Sequence, residues 1–280
     1  MQAPPANRYI TVAVDGSAES EAAARFAVHE ARIRTADIRV ALSFPAPSDS
    51  AQLTAGGVTY VAEAGCDLVR DFHTETGAVP TAYVLLKRLE GLSDLMVLGH
   101  PGLTHEITSA PGGVSDLLTA QANCPTAVIP RAWHEPTDAR SLVVVAVDGD
   151  AGSIEALRWA FEEAVMRGGE LEVVQAISPV ASDTEMSSQQ RNLAETLTDW
   201  RSDDPGLAVR IDVTRGDPTQ LLLQASADAA VLVLGHPHAE GLASRSRAAR
   251  LVAISGCPIV LVPGVGHSND RPREKVLVAA

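Results

Sequence analysis

The residues of this sequence best suited to chemistry are glycines and small hydroxyl residues between Gly99 and Ser115. Glycine lets backbone N–H groups approach a ligand closely. A helix that begins near Gly113 would also present its positive end and its unpaired donors to a polyanion. Ser115 adds a hydroxyl donor, and Asp15, which follows an apolar run, is an acceptor suited to a ribose hydroxyl or an adenine edge. These residue types predict a site for phosphate groups.

Strands and helices that alternate along the chain must position these residues. In the N-terminal half the apolar pattern predicts a strand, a helix and a second strand, at Tyr9–Val14, Ala18–Arg34 and Ile38–Phe44. In the C-terminal half it predicts helices at Ser153–Arg167, Met186–Ser202 and Thr219–Ala227, and strands at Leu142–Val147, Leu171–Ile177, Leu207–Thr214, Ala230–Leu234 and Ile259–Pro263. Short apolar strands separated by helices indicate a parallel sheet covered on both faces.

Such sheets bind ligands beyond the carboxyl ends of their strands. Asp15 directly follows the first strand, and Gly99 follows the strand predicted to be fourth. The two candidate positions are therefore expected at the same end of one sheet.

The sequence contains an internal duplication with an offset of 133 residues. The run that ends at Asp15-Gly16 recurs at Asp148-Gly149, and Cys124-Pro125 recurs at Cys257-Pro258 with the same offset. A repeat of this length is a whole domain rather than a solenoid unit. We expect domains at residues 8–131 and 141–264, followed by a tail at 265–280 in which Lys275–Ala280 can add a short strand.

Composition excludes several classes of protein. The net charge is −13 and the basic residues form no long run, which disfavours a nucleic-acid partner. No stretch approaches the roughly 18 apolar residues of a membrane span, and the N-terminus lacks the pattern of a signal peptide. Three cysteines do not form a disulfide framework. We expect a cytoplasmic protein with Cys124 and Cys257 buried as small apolar side chains.

The spacing of Gly99, Gly102 and Gly112 resembles the ATP-binding motif of the universal stress protein family. Asp15 at the end of the first strand and Cys-Pro before the last strand are similar to that family as well, and the two-domain arrangement resembles its tandem actinobacterial members. The resemblance implies an α/β fold of two doubly wound, five-stranded parallel sheets in tandem (Rossmann-like, adenine nucleotide alpha hydrolase-like).

The resemblance also implies roles for individual residues. Asp15 would meet the adenine end, and Leu98 and Gly99 would line the base and ribose. The phosphates, with or without Mg2+, would be held by Gly102, Gly112, Gly113, Val114 and Ser115. Two departures stand out in this half. Gly113 replaces the usual Ser or Thr, and no clean third strand is found, because alignment with the other half leaves only the poor strand Val69–Thr76.

The C-terminal half departs further from the motif. His238 stands where the second motif glycine is expected, and Arg245, followed by Ser246, stands where the third is expected. A side chain at such a position blocks close approach of phosphate, so we expect a degenerate site, although Arg245 offers a charge in exchange. His236-Pro237-His238 suggests a metal site, but two histidines without further ligands more often form a surface turn.

No nucleophile elbow, P-loop lysine or paired carboxylates appear, which argues against an enzyme and allows at most a weak, incidental ATPase. Two functions remain open: a regulatory protein that binds ATP, AMP or a cyclic nucleotide, and a scaffold that has kept the fold without the ligand. The protein partner is not predicted. The last strand of each half, Thr126–Pro130 and Ile259–Pro263, is expected at a sheet edge, where the halves can pair as an internal pseudo-dimer and a homodimer can also form.

Overall fold

The computed structural model describes residues 9–14, 16–42, 52–55, 58–61, 66–70, 87, 89–100, 123–135, 141–149, 151–235 and 250–264. Twelve strands lie in these ranges: β1 Tyr9–Val14, β2 Asp37–Leu42, β3 Gln52–Ala55, β4 Val58–Val61, β5 Cys66–Arg70, β6 Leu95–His100, β7 Thr126–Pro130, β8 Leu142–Ala146, β9 Glu170–Ile177, β10 Ala208–Arg215, β11 Val231–Gly235 and β12 Ile259–Val262. The named α-helices of these ranges are α1 Ala18–Arg34, α2 Ala151–Arg167, α3 Asp183–Thr196, α4 Thr198–Asp203 and α5 Pro218–Ala225, with a 3-10 turn at Glu90–Leu92.

Ten of the described strands form one sheet in the order β10-β9-β8-β11-β12-β7-β6-β1-β2-β5. Within each half the five strands are parallel and share one order, with the first strand of the half between its second and fourth. This sheet therefore consists of two doubly wound, five-stranded parallel units in tandem, the fold class that the sequence predicts. No helix in the described part of the chain is both long and apolar enough to cross a membrane.

The two halves join through their last strands. β7 pairs antiparallel with β12, with Val128 opposite Ile259 and Thr126 opposite Leu261. The edge-to-edge pairing predicted from the sequence is confirmed. It relates the halves by an approximate two-fold axis, because the same strand of each half runs in opposite directions across the junction.

One apolar layer extends across this junction. It contains Val12 and Ile129 from the N-terminal half and Val145 and Val260 from the C-terminal half, all of them buried. Alanines on α1 and α2, such as Ala27 and its equivalent Ala160, are fully buried and bring both helices close to the sheet. Burial of this common layer stabilises the two halves as one unit.

Four charged side chains lie buried where α1 meets α2. Glu30 and Arg34 on α1 occupy positions equivalent to Glu163 and Arg167 on α2, and each is at most 8% exposed. Arg34 binds Glu163 and Arg167 binds Glu30 across the junction, while each arginine also binds the glutamate four residues earlier on its own helix. We call this set the ion quartet.

Two sequence-based predictions are corrected by the structure. The third strand of the N-terminal half lies at Cys66–Arg70, where it pairs with β2, rather than at Val69–Thr76. The single helix predicted over Met186–Ser202 is two helices, α3 and α4, which separate at the fully buried Leu197. The pattern missed the first because the run Cys66–Arg70 is short and contains two charged residues.

Candidate functional site

The strand order changes direction between β1 and β6, and this point lies where the sequence predicts a ligand. The described register sets Val12 opposite Val97, and its continuation brings Gly99 level with Val14, the last residue of β1. Asp15 is the next residue along the chain. The two regions singled out in the sequence therefore begin side by side at the carboxyl edge of the sheet, which is where doubly wound folds bind ligands.

A tight turn connects β1 to α1 at this edge. Gly16 has φ 86°, a left-handed conformation that glycine adopts without strain. Ser17 is the N-cap of α1, and its hydroxyl accepts a hydrogen bond of 3.2 Å from the backbone N–H of Ser20. The N-cap position of α1 is therefore occupied by Ser17.

Position 99 requires glycine because it lies in close contact with α1. A Cβ atom at this position would overlap the backbone carbonyl of Glu19 in the first turn of that helix. The side chain of Leu98 is 2% exposed and packs with Met96 and Cys124. A ligand at this edge would therefore meet the backbone of these two residues rather than their side chains.

The remaining residues predicted to contact the ligand lie outside the described residues. The same is true of the positions at which the C-terminal half differs from the glycine motif. They are Asp15, Gly102, Gly112, Gly113, Val114, Ser115, His236, His238, Arg245 and Ser246. Their contribution to binding stays a prediction. Of the predicted site, Leu98 and Gly99 lie within the described residues, at the carboxyl end of β6.

The corresponding edge of the C-terminal half is described more fully. Asp148 and Gly149 follow β8, and Gly149 has φ 89°, so the tight turn after the first strand is repeated. Both residues are exposed. Gly235, at the end of β11, lies against the first turn of α2, since its Cβ would be 2.9 Å from the backbone oxygen of Gly152. The two edges thus share the same backbone frame.

Gln175 is a polar residue at this second edge that the sequence analysis did not select. It lies in β9, is 5% exposed, and its Nε2 lies 3.5 Å from Oε1 of Gln189. Its own Oε1 has no hydrogen-bond partner among the described residues. A glutamine that follows the apolar pair Val173-Val174 was the signal available in the sequence, and at the equivalent position the N-terminal half has Leu42.

The Gly216-Asp217-Pro218 turn has a local structural role. Gly216 has φ 153°, and the Asp217 side chain accepts a hydrogen bond of 3.0 Å from the backbone N–H of Gln220, which makes Asp217 the N-cap of α5. Pro218 occupies the first turn, where its missing N–H costs nothing. The turn therefore specifies the start of α5.

The cysteines at equivalent positions are buried, as predicted. Cys124 is 4% exposed and Cys257 is 7% exposed. Burial, with the nearby charge of Glu90 adding to it, raises the pKa of the Cys124 thiol to about 12. Burial also raises the pKa of Cys257. Neither thiol is suited to act as a nucleophile at neutral pH, because the thiolate is the reactive form.

The fold and its two repeated edges define the class of protein, a tandem pair of doubly wound α/β domains. Residues 6–130 and 141–263 both match the model of the universal stress protein family. The universal stress protein Rv2005c of Mycobacterium tuberculosis H37Rv is 30% identical over 279 residues, which cover 86% of this chain and 91% of the relative. Rv2623 of the same strain is 27% identical over 261 residues, covering 81% of this chain and 85% of the relative. The chain belongs to the universal stress protein family.

Solved structures agree with this fold. The crystal structure of a universal stress protein from Archaeoglobus fulgidus DSM 4304 matches with a TM-score of 0.65 and 13% identity, covering 91% of this chain and 98% of that one. The alignment therefore extends over both halves of the sheet.

Proposed function

We propose that this chain is a non-enzymatic regulatory protein that binds ATP, or a related adenine nucleotide such as AMP or a cyclic nucleotide, in its N-terminal half. The observation that supports this most is the adjacency of β1 and β6 at the point where the strand order changes. It brings Val14, which precedes Asp15 in the sequence, level with Gly99, where the glycine loop starts. Membership of the universal stress protein family supports the same assignment.

The chemistry of each residue suggests its role in the proposed site. Asp15 accepts hydrogen bonds from the ribose or the base, while the backbone N–H groups of Gly102, Gly112 and Gly113 and the hydroxyl of Ser115 hold the phosphates. Mg2+, where present, would be held mainly by the phosphate oxygens, which it prefers as ligands. The C-terminal site is degenerate, because His238 and Arg245 carry side chains where the motif has glycine.

The proposal also includes the domain limits, the cellular location and the partners of the protein. The domains span residues 8–131 and 141–264, with residues 265–280 as a tail, and the protein works in the cytoplasm. The net charge of −13 argues against a nucleic-acid partner. A second copy of the chain and a protein that reads the nucleotide state are the expected partners.

The test is a thermal melt with and without Mg-ATP. Ligand at about 100 times its dissociation constant stabilises the folded state by roughly 2.7 kcal/mol, so the midpoint should rise by several degrees. AMP and a cyclic nucleotide, melted in parallel, identify the preferred ligand. Gly102→Leu should abolish the shift, because its side chain occupies space meant for phosphate.

His238→Leu is the matched control, because it changes the equivalent position of the degenerate half and should leave the shift intact. An absence of any shift at millimolar nucleotide would contradict the proposal and favour the scaffold alternative. A shift that survives in Gly102→Leu would show that the nucleotide binds elsewhere. Release of phosphate from ATP at about one per second or faster, a rate typical of enzymes, would contradict the non-enzymatic assignment.

A further inference from the structure

A cleft of about 740 Å3 lies between the two halves, away from the edge that holds the candidate nucleotide site. One wall consists of residues that precede the strands of the N-terminal half, Ala36, Asp94 and Pro125. The other wall comes from helices of the C-terminal half, with Trp159 and Glu162 on α2 and Trp200, Asp203 and Asp204 at α4. We call it the aromatic cleft.

The aromatic cleft combines half-buried rings with a negative rim. Trp159 and Trp200 are both partly exposed. Glu162, Asp203 and Asp204 form no side-chain ion pair with any residue in the described part of the chain. The two arginines that line the cleft already have partners, since Arg34 belongs to the ion quartet and Arg158 stacks over Trp200 at 5.6 Å. The cleft suits a segment that carries apolar and positively charged side chains.

The N-terminal half shows how an aromatic ring at the position equivalent to Trp159 can be covered by another segment of the chain. Trp159 is equivalent to Phe26 on α1, which is only 2% exposed. Phe26 is covered by Trp133, from the segment that leaves β7, at 5.3 Å between ring centroids in an edge-to-face arrangement. A turn starts this segment, with the N–H of Trp133 donating to the carbonyl of Pro130 at 2.9 Å.

Charge holds the covering segment on α1. Oε1 of Glu135 lies 3.3 Å from Nδ1 of His29 and 3.3 Å from an Nη of Arg32. The position on α2 equivalent to His29 is Glu162, which places a negative charge there instead of an imidazole. A segment that covers Trp159 in the equivalent way should therefore be basic where the first one is acidic.

The tail starts beside the aromatic cleft. The register of β7 and β12 pairs Leu261 with Thr126, and its continuation brings Val262 level with Pro125, which lines the cleft. Residues 265–280 contain Arg271, Arg273 and Lys275, directly followed by Val276-Leu277-Val278. The twelve residues that follow Gly264, up to Val276, can span up to roughly 40 Å, since an extended chain covers about 3.3 Å per residue.

We propose that the aromatic cleft binds the chain's own C-terminal segment, residues 265–280. Val276–Val278 pack against Trp159 and Trp200, and the basic residues before them meet Glu162, Asp203 and Asp204. The segment then covers α2 as Trp133–Glu135 covers α1, with the charges exchanged. This docking is independent of nucleotide binding at β1 and β6.

The first test follows the tryptophans in the full-length chain. Trp133→Phe leaves Trp159 and Trp200 as reporters, since the chain has three tryptophans. Reversing Arg271, Arg273 and Lys275 to Glu should raise the acrylamide quenching constant to that of a chain ending at Gly264. Asp270→Asn, which removes no positive charge from the tail, should leave quenching unchanged.

The second test exchanges the charges. Glu162→Lys with Asp203→Lys should raise quenching in the same way, and adding the reversed tail should restore the original value. Glu195→Lys, an exposed site on α3 outside the cleft, is the matched control. A peptide of residues 265–280 should bind the chain that ends at Gly264 and lose affinity at least about fivefold with Glu162→Lys and Asp203→Lys, the scale expected of one or two surface charge pairs.

Equal quenching in the full-length and truncated chains would overturn the proposal. So would quenching that falls as protein concentration rises, because a second copy would then be covering the cleft. Failure of the combined charge exchange to restore protection would show that the single changes act by loosening the fold. Restoration together with binding of the peptide supports the tail as occupant.

Discussion

At the scale of single residues, the glycines at the ends of the strands are required for different physical reasons. Gly16 and Gly149 are required by a left-handed backbone, whereas Gly99 and Gly235 are required by close contact with a helix. The sequence predicted a glycine-dependent turn and a strand end at these places. It did not reveal the helix contact, because that depends on how closely α1 and α2 approach the sheet.

This difference gives a prediction for alanine substitutions. Gly99→Ala would drive its Cβ into the backbone carbonyl of Glu19, whereas at Gly235 the nearest backbone oxygen would be 2.9 Å away. Both changes should destabilise the protein, Gly99→Ala by about 2–3 kcal/mol and Gly235→Ala by less, since overpacking typically costs about 1–3 kcal/mol. Urea unfolding of the two variants measures this order. An equal or reversed order would mean that the helices adjust more easily than their backbone contacts indicate.

At the scale of elements, the ion quartet fixes how α1 meets α2. Burial by itself raises the pKa of Glu30, but the guanidiniums of Arg167 and Arg34 outweigh it and hold that pKa below its ordinary value. Burial, with the charge of Glu30 adding to it, raises the pKa of Glu163 despite both arginines. The arginines thus keep Glu30 charged to a lower pH than a free glutamate.

Glu30→Gln tests this assignment through pH. A carboxylate whose folded pKa is lowered stabilises the protein above its unfolded pKa of about 4.3, and this stabilisation is lost as the pH falls through the folded value. The melting temperature of Glu30→Gln should lie well below that of the parent from neutral pH to about 5, because a buried partner lost from an ion pair costs about 3 kcal/mol. The difference should shrink as the pH falls below about 4. Glu195→Gln, exposed on α3, serves as control, and a gap that stays constant into strong acid would contradict the assignment.

The elements themselves were largely predictable. Periodicity gave β1, α1 and β7 with their observed limits and found each C-terminal strand to within about a residue at either end, because these are short apolar runs bounded by turn residues. It failed at β5, whose run Cys66–Arg70 is short and contains charged residues. The ion quartet was visible as a repeat of Glu and Arg in both halves, but its pairing was not, since it depends on the axis that relates the halves.

At the scale of the whole molecule, the described core is continuous through the β7–β12 junction. Two domains joined only by a linker would unfold independently, whereas a shared apolar layer and shared buried charges couple them. We therefore expect one cooperative transition for the whole chain. Differential scanning calorimetry should give equal calorimetric and van't Hoff enthalpies. Two resolved transitions, or a van't Hoff enthalpy near half the calorimetric value, would show that the halves unfold separately.

The joining of both halves in one polypeptide has a consequence for evolution and for dilution. In a homodimer both sides of a two-fold contact are encoded by the same codons. Every substitution at such a contact therefore appears in both subunits. Here the equivalent positions vary separately: His29 corresponds to Glu162 in the repeat, and Phe26 corresponds to Trp159. The tether also keeps the partner at an effective concentration of about millimolar or more. The pairing thus stays intact at any expression level while its two sides specialise.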